Sequence, residues 1–225
     1  MEQTWFEPFN PHDYILYREH RLPHWEQRGD GICYFVTWRL DDALPAGRLR
    51  VWMAEREEWM SAHPEPWDAS TLNDYNERFP ERLEQWLDAG AGECVLRNPA
   101  MAGIVRDALL HFDGQRYRLR TFVVMPNHVH VLFNLRHATE DTALSRLLKS
   151  WKGYTATMVN RALGRSGPLW QEDYWDRIVR SESHLSHCEA YIRDNPRKAG
   201  LSPCEFIFYD GVRGSLDEPT TKPCA

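Results

Sequence analysis

Tyr117-Arg-Leu-Arg-Thr-Phe-Val-Val-Met-Pro-Asn-His-Val-His-Val-Leu-Phe-Asn134 is the stretch that decides the fold. Two runs rich in β-branched and aromatic residues, Tyr117 to Met125 and His128 to Asn134, flank the dipeptide Pro126-Asn127. Proline cannot donate to a strand ladder and asparagine tolerates turn geometry, so this reads as an antiparallel hairpin. Upstream, Ile32 to Leu40 (ICYFVTWRL) follows Gly29-Asp30-Gly31 and reads as another strand started by a turn. Downstream, Leu144, Leu147, Leu148, Trp151, Ala156 and Val159 recur at helical spacing, which predicts a helix from Ala143 to Leu163, ended by Gly164-Arg-Ser-Gly167-Pro168. Asp176 to Val179 is a short strand. Ser181 is a good N-cap for a last helix, which should stop near Asn195 because Pro196 disfavours helical geometry before it.

Between the first strand and the hairpin three helices are predicted: Ala46 to Ala62, Leu72 to Leu87, and Pro99 to Phe112. The order is βαββαβ, an α+β class with a ferredoxin-like antiparallel sheet, a helical insertion over 41–95 and a C-terminal helix. One domain over 1–216 with a loose polar tail, 217–225, is expected. With 42% hydrophobic residues in 225, the chain can build one sizeable core.

The formal charge of -6 is unusual for a protein that binds phosphates. The acidity is local. Asp41 to Val95 holds 13 acidic and 5 basic residues, whereas Leu144 to Gly200 holds 10 basic and 6 acidic. Any DNA groove is expected on the basic segment, with the acidic insertion turned away from it. The five cysteines form no CxxC pair, so reduced thiols are expected. No apolar run reaches the roughly 20 residues of a membrane span, and the N-terminus lacks a signal pattern, so a cytoplasmic protein without membrane partners is expected.

Two stretches carry chemistry. His128 and His130 are two apart on a strand and point to one face, while Val129, Val131 and Phe133 point to the other. Two imidazoles side by side make half a metal site; a lone HxH pair is, however, more often structural. Tyr191 and Asn195 are four apart and lie one helical turn from each other. A phenol set against an electrophile near a cation can be a nucleophile, and an amide oxygen can ligate a hard divalent ion. On their own these two are more often a core residue and a helix terminator. Tyr154 and Tyr174 compete as nucleophiles, but neither has a carboxamide four residues later.

MPNHVHVLF at 125–133, GPLWQEDYWDRIVRSESHL at 167–185 and AYIRDNPRKAGL at 190–201 together resemble the REP-associated tyrosine transposases, single-tyrosine HUH enzymes related to insertion-sequence transposases. The stretch LPHWEQRGDGICYFVTWRL at 22–40 resembles the family's first strand, so the likeness runs roughly from Arg21 to Leu201. The resemblance implies that His128, His130 and Asn195 hold Mg2+ or Mn2+ and that Tyr191 attacks a DNA phosphate. It also implies single-stranded or hairpin DNA near palindromes as partner, cut and rejoined through a 5′-phosphotyrosine, and a monomer or weak homodimer. Lys149, Lys152, Arg161, Arg177, Arg180, Arg197 and Lys198 are candidate phosphate contacts, with Trp151, Trp170 and Trp175 for base stacking. A histidine-triad nucleotide hydrolase is disfavoured, because Leu132 stands at the third histidine position and leaves the nucleophilic set incomplete. A domesticated hairpin-DNA-binding protein without cleavage is the remaining alternative.

Overall fold

The computed structural model describes residues 15–19, 23–27, 31–44, 46–64, 66–136, 144–211 and 215–217. Strands β1 (Ile15–Glu19) and β2 (Pro23–Gln27) form a separate antiparallel hairpin. The main sheet contains β3 (Cys33–Arg39), β4 (Tyr117–Val124), β5 (His128–Leu135), β6 (Trp175–Ile178), β7 (Ile207–Asp210) and β8 (Ser215–Asp217), in the order β6-β3-β5-β4-β7-β8. All its pairings are antiparallel. Strand β5 lies between β3 and β4, and β3 lies between β5 and β6. Two split β-α-β units are thereby interleaved, which is the ferredoxin-like arrangement expected from the element order.

The alternation of β3 and β5 divides the sheet chemically. Tyr34, Val36, Trp38, Val129, Val131 and Phe133 point into a large apolar core. Helices α4 (Pro99–Leu110) and α5 (Leu144–Ala162) close that core with Val105, Leu109, Leu147 and Trp151. On the opposite face Cys33, Val123, Met125 and Leu132 meet Leu185, Cys188 and Ile192 of α6 (Glu182–Lys198) in a smaller cluster. Phe35, Thr37, Arg39, His128 and His130 share this second face.

The insertion folds as α1 (Ala46–Ala62), α2 (Ala69–Asn76), a π-helical turn over Glu77–Glu81, and α3 (Arg82–Asp88). Asp68 caps α2 by accepting from the Thr71 amide at 2.7 Å. The predicted continuous helix from Leu72 to Leu87 is thus interrupted. Pro80, which has no N–H to give, sits inside the wide turn.

Three further expectations are corrected. Helix α6 runs through Pro196 to Lys198, because the following amides still find acceptors: Ala199 N–H donates to Asn195 O and Leu201 N–H to Pro196 O. Cys33, Cys94 and Cys188 are free, but Cys204 is disulfide-bonded; one crosslink between scattered cysteines leaves no spacing signature. Asp217 closes β8 against β7 and so is not the start of the loose tail; residues 218–225 lie outside the described residues. No described helix is long and apolar enough to cross a membrane.

Candidate active site

His128 and His130 open β5 immediately after the Pro126-Asn127 turn, and both are almost completely buried, at 1% and 0% exposure. Register places Thr37 beside His130 and Arg39 beside His128. The two imidazoles stand nearly perpendicular, and their Nε2 atoms are 3.0 Å apart.

Hydrogen bonds fix the His128 tautomer. The Asn127 Nδ2 donates to Leu87 O and Ala91 O, at 3.0 and 3.2 Å, so its Oδ1 must be the acceptor facing His128 Nδ1 at 2.7 Å. His128 therefore carries its proton on Nδ1 and a lone pair on Nε2. The Thr37 hydroxyl meets His130 Nδ1 at 2.7 Å and can donate or accept there. Burial, reinforced by the Arg39 cation, lowers the His128 pKa from 6.5 to about 3. Burial and then His128 hold His130 well below its ordinary value. Both rings are neutral at physiological pH, the state in which imidazole ligates a cation.

Helix α6 crosses this end of the sheet with Tyr191 and Asn195 facing the histidines. The Tyr191 ring lies edge-on to His130 at 5.3 Å and to Phe35 at 5.8 Å. Asn195 Nδ2 donates to the Tyr191 hydroxyl at 3.1 Å. The Asn195 side chain is close enough to His128 to favour its charged form slightly, yet its buried Oδ1 has no hydrogen-bond partner of ordinary geometry. Lys198 Nζ sits 5.3 Å from the Tyr191 ring centre. Tyr191, Asn195, His128 and His130 are thus brought together by residues 61 to 67 apart, through the crossing of α6 over β5.

The predicted cations are dispersed. Arg177 and Lys198 line the cleft beside Tyr191. Lys149 and Arg161 are exposed on α5, and Arg180 is exposed just before α6. Arg197 pairs with Glu205 at 3.3 Å. Lys152 donates to Glu172 O at 2.7 Å, and burial lowers its pKa to about 8. Trp151 and Trp170 pack against Trp38 in the core, at 3% and 6% exposure, and cannot stack on bases; Trp175 alone of the three lines the cleft.

The expected remoteness of the acidic insertion is also overturned. Residues of α2, the π turn and α3 form one wall of a cleft of about 950 Å³ whose other wall carries Tyr191. Trp52, Phe79, Leu83 and Leu87 must be buried, and they join the main core; exposed Glu55, Glu57, Glu58 and Glu77 remain in solvent. Asn127, Thr37 and Arg39 are site residues that sequence reasoning missed. Only the asparagine had a local cue, its place in the turn before the first histidine.

All four predicted catalytic and ligand residues fall within 106–195, the stretch that matches the family model described as "Transposase IS200 like". Residues 106–195 are IS200-transposase-like. The insertion lies outside this match. The REP-associated tyrosine transposase of Escherichia coli (strain K12) is 28% identical over 98 residues, 43% of this chain and 55% of that protein. The aligned part thus spans about half the length of that curated relative, and the resemblance read from the three motifs holds. A solved REP-associated tyrosine transposase bound to a REP hairpin is 16% identical, with a TM-score of 0.37 over 79% of this chain and 75% of that one. A candidate transposase from Deinococcus radiodurans R1 is also 16% identical, with a TM-score of 0.33 over 84% and 98%. The ferredoxin-like strand order stands on the chain's own pairings.

Proposed function

We propose that this chain is a single-tyrosine transposase that cleaves and rejoins single-stranded DNA beside hairpins, as its REP-associated relatives suggest. The observation that carries the reading is convergence: two neutral imidazoles, an amide oxygen without a partner and a tyrosine hydroxyl meet at one end of the sheet. The donor set fits a divalent cation. Two Nε2 atoms only 3.0 Å apart would be able to converge on one ion. His128, His130 and the Asn195 Oδ1 would hold Mg2+ or Mn2+, and the bound ion would withdraw charge from the scissile phosphate. Among the described residues no cluster of three His, Cys, Asp or Glu offers a competing site.

The protein's own groups account for the rest. Asn127 fixes the proton of His128 on Nδ1, and with a cation bound His130 would carry its proton on Nδ1 and donate it to the Thr37 hydroxyl, so that both Nε2 lone pairs could ligate. Asn195 Nδ2 and the Lys198 ammonium place positive character around the Tyr191 ring and oxygen, where negative charge develops as the phenol gives up its proton. The Tyr191 oxygen forms a bond to phosphorus while the bond from phosphorus to the 3′-oxygen breaks. That oxygen gains a proton and leaves as a 3′-hydroxyl, and attack by another strand's 3′-hydroxyl reverses the balance.

The test is covalent capture. With Mg2+ or Mn2+ and single-stranded hairpin oligonucleotides, wild-type protein should give a denaturation-resistant adduct; Tyr191→Phe should give none while still binding the DNA. An adduct that persists in Tyr191→Phe and disappears in Tyr154→Phe would assign the nucleophile elsewhere. Tight binding without adduct across all hairpins and both ions would favour the DNA-binding alternative.

A further inference from the structure

The cleft beside Tyr191 has two chemically unlike walls. On the side of β6 and α6 stand the cations Arg177 and Lys198 with His187 and one carboxylate, Asp176; on the side of the insertion stand Asn76, Glu81, Gln85 and Asp88 and, among the described residues, no cation. A phosphate backbone is held by cationic donors and is repelled by carboxylates. Base edges have the opposite needs. A carboxamide presents a donor and an acceptor side by side, and a carboxylate accepts from an exocyclic amino group such as cytosine N4. Phe35 and Trp175 line the same space and offer aromatic surface on which an unpaired base can stack.

Asp88 presents an unsatisfied acceptor to the cleft. Its Oδ1 is buried and has no hydrogen-bond partner, although Lys198 lies near enough to act on the carboxyl electrostatically. Leaving such an oxygen unsatisfied is costly. Burial correspondingly raises the Asp88 pKa to about 6. A base amino group entering the cleft would give that oxygen its missing donor.

We propose that the cleft holds the unpaired nucleotide next to the cleaved phosphate, its backbone along Arg177 and Lys198 and its base edge against Asn76, Gln85 and Asp88, so that the insertion sets base preference at the cleavage site. This rests on the DNA-cleaving reading above. The insertion lies outside residues 106–195, the stretch matched by the family model. The preferred base carries an exocyclic amino group, which cytosine, adenine and guanine have and thymine lacks.

The experiment uses a hairpin oligonucleotide pool with randomised unpaired flanks, sequencing both the covalently captured and the equilibrium-bound fractions. Wild type should favour an amino-bearing base over thymine at one flanking position by about fivefold or more, the discrimination of one good base contact. Asp88→Asn and Gln85→Ala should reduce that preference below about twofold, because the first replaces an acceptor-only group and the second removes the carboxamide. Total adduct on the mixed pool should change less than about threefold, since one lost base contact leaves the backbone contacts in place. Lys198→Ala should instead weaken binding to all pool members alike and lower the salt-dependence slope by about one. Unchanged base preference in Asp88→Asn, Gln85→Ala and Asn76→Ala would overturn the proposal. Should wild type give no adduct, the cleavage reading fails, and base preference in the bound fraction still decides the cleft by the same criterion.

Discussion

The two faces of β5 obey different rules although they alternate along one strand. Val129, Val131 and Phe133 enter a continuous apolar core, where side chains are exchangeable if volume is kept. His128 and His130, one residue out of step, enter a pocket where every nitrogen has an assigned neighbour. Both faces are equally dry, so burial alone does not tell stability from chemistry. Partner identity does: carbon contacts on one side, directed hydrogen bonds and an oxygen without a partner on the other.

The largest effect should come from the apolar face. Phe133→Ala, at a fully buried position, is expected to cost about 3–5 kcal/mol in urea unfolding, while the folded fraction keeps its cation affinity. Loss of cation affinity in this variant at full fold would erase the distinction between the faces. On the other face, His128→Ala or His130→Ala should weaken Mn2+ binding by about a hundredfold or more by calorimetry, about 2.7 kcal/mol, and abolish the adduct with little loss of stability. Unchanged Mn2+ affinity in both variants would make the histidines structural. A smaller effect tests how far the chemical face extends: Asn127→Ala should lower Mn2+ affinity about 10- to 100-fold by freeing the His128 tautomer. The pH dependence of adduct formation should shift in that variant, which a purely structural role would not produce.

The smallest effect is in acid. His128 is neutral when folded, with its pKa lowered to about 3, whereas in the unfolded chain it takes up a proton near pH 6.5. The unfolded state therefore binds more protons between these values. Stability is fully present above pH 6.5 and falls as pH drops through the window toward 3, by at most about 1.4 kcal/mol per pH unit for this group. His130, also lowered, adds in the same direction. Urea unfolding in EDTA between pH 6.5 and 5 should show the decline in wild type and a shallower one in His128→Ala. Parallel curves would refute the assignment.

Local signals in the sequence were sufficient for the hairpin and the last helix. Alternating β-branched residues around Pro126-Asn127 gave β4 and β5 to within a residue, and the spacing of four put Tyr191 and Asn195 on one face of α6. What escaped were features set by distant pairing. Thr37 becomes a partner of His130 only through the β3–β5 register, across 93 residues. Trp151 and Trp170 were candidates for stacking until their packing against Trp38 placed them inside. The hairpin β1–β2 and the strands β7 and β8 are short and carry weak alternation. The insertion misled because its charge is evident in the sequence, whereas the apolar side that docks it is spread over Trp52, Phe79, Leu83 and Leu87.

The carbonyls of Leu87 and Ala91 give the insertion a further meaning. They hold the carboxamide that orients His128, so the segment cannot be trimmed without disturbing the histidine pair. A shortened chain would keep its tyrosine and both histidines in the sequence while losing the acceptors that keep Asn127 turned the right way. For this chain, what orients His128 reaches beyond residues 106–195, the stretch that matches a family.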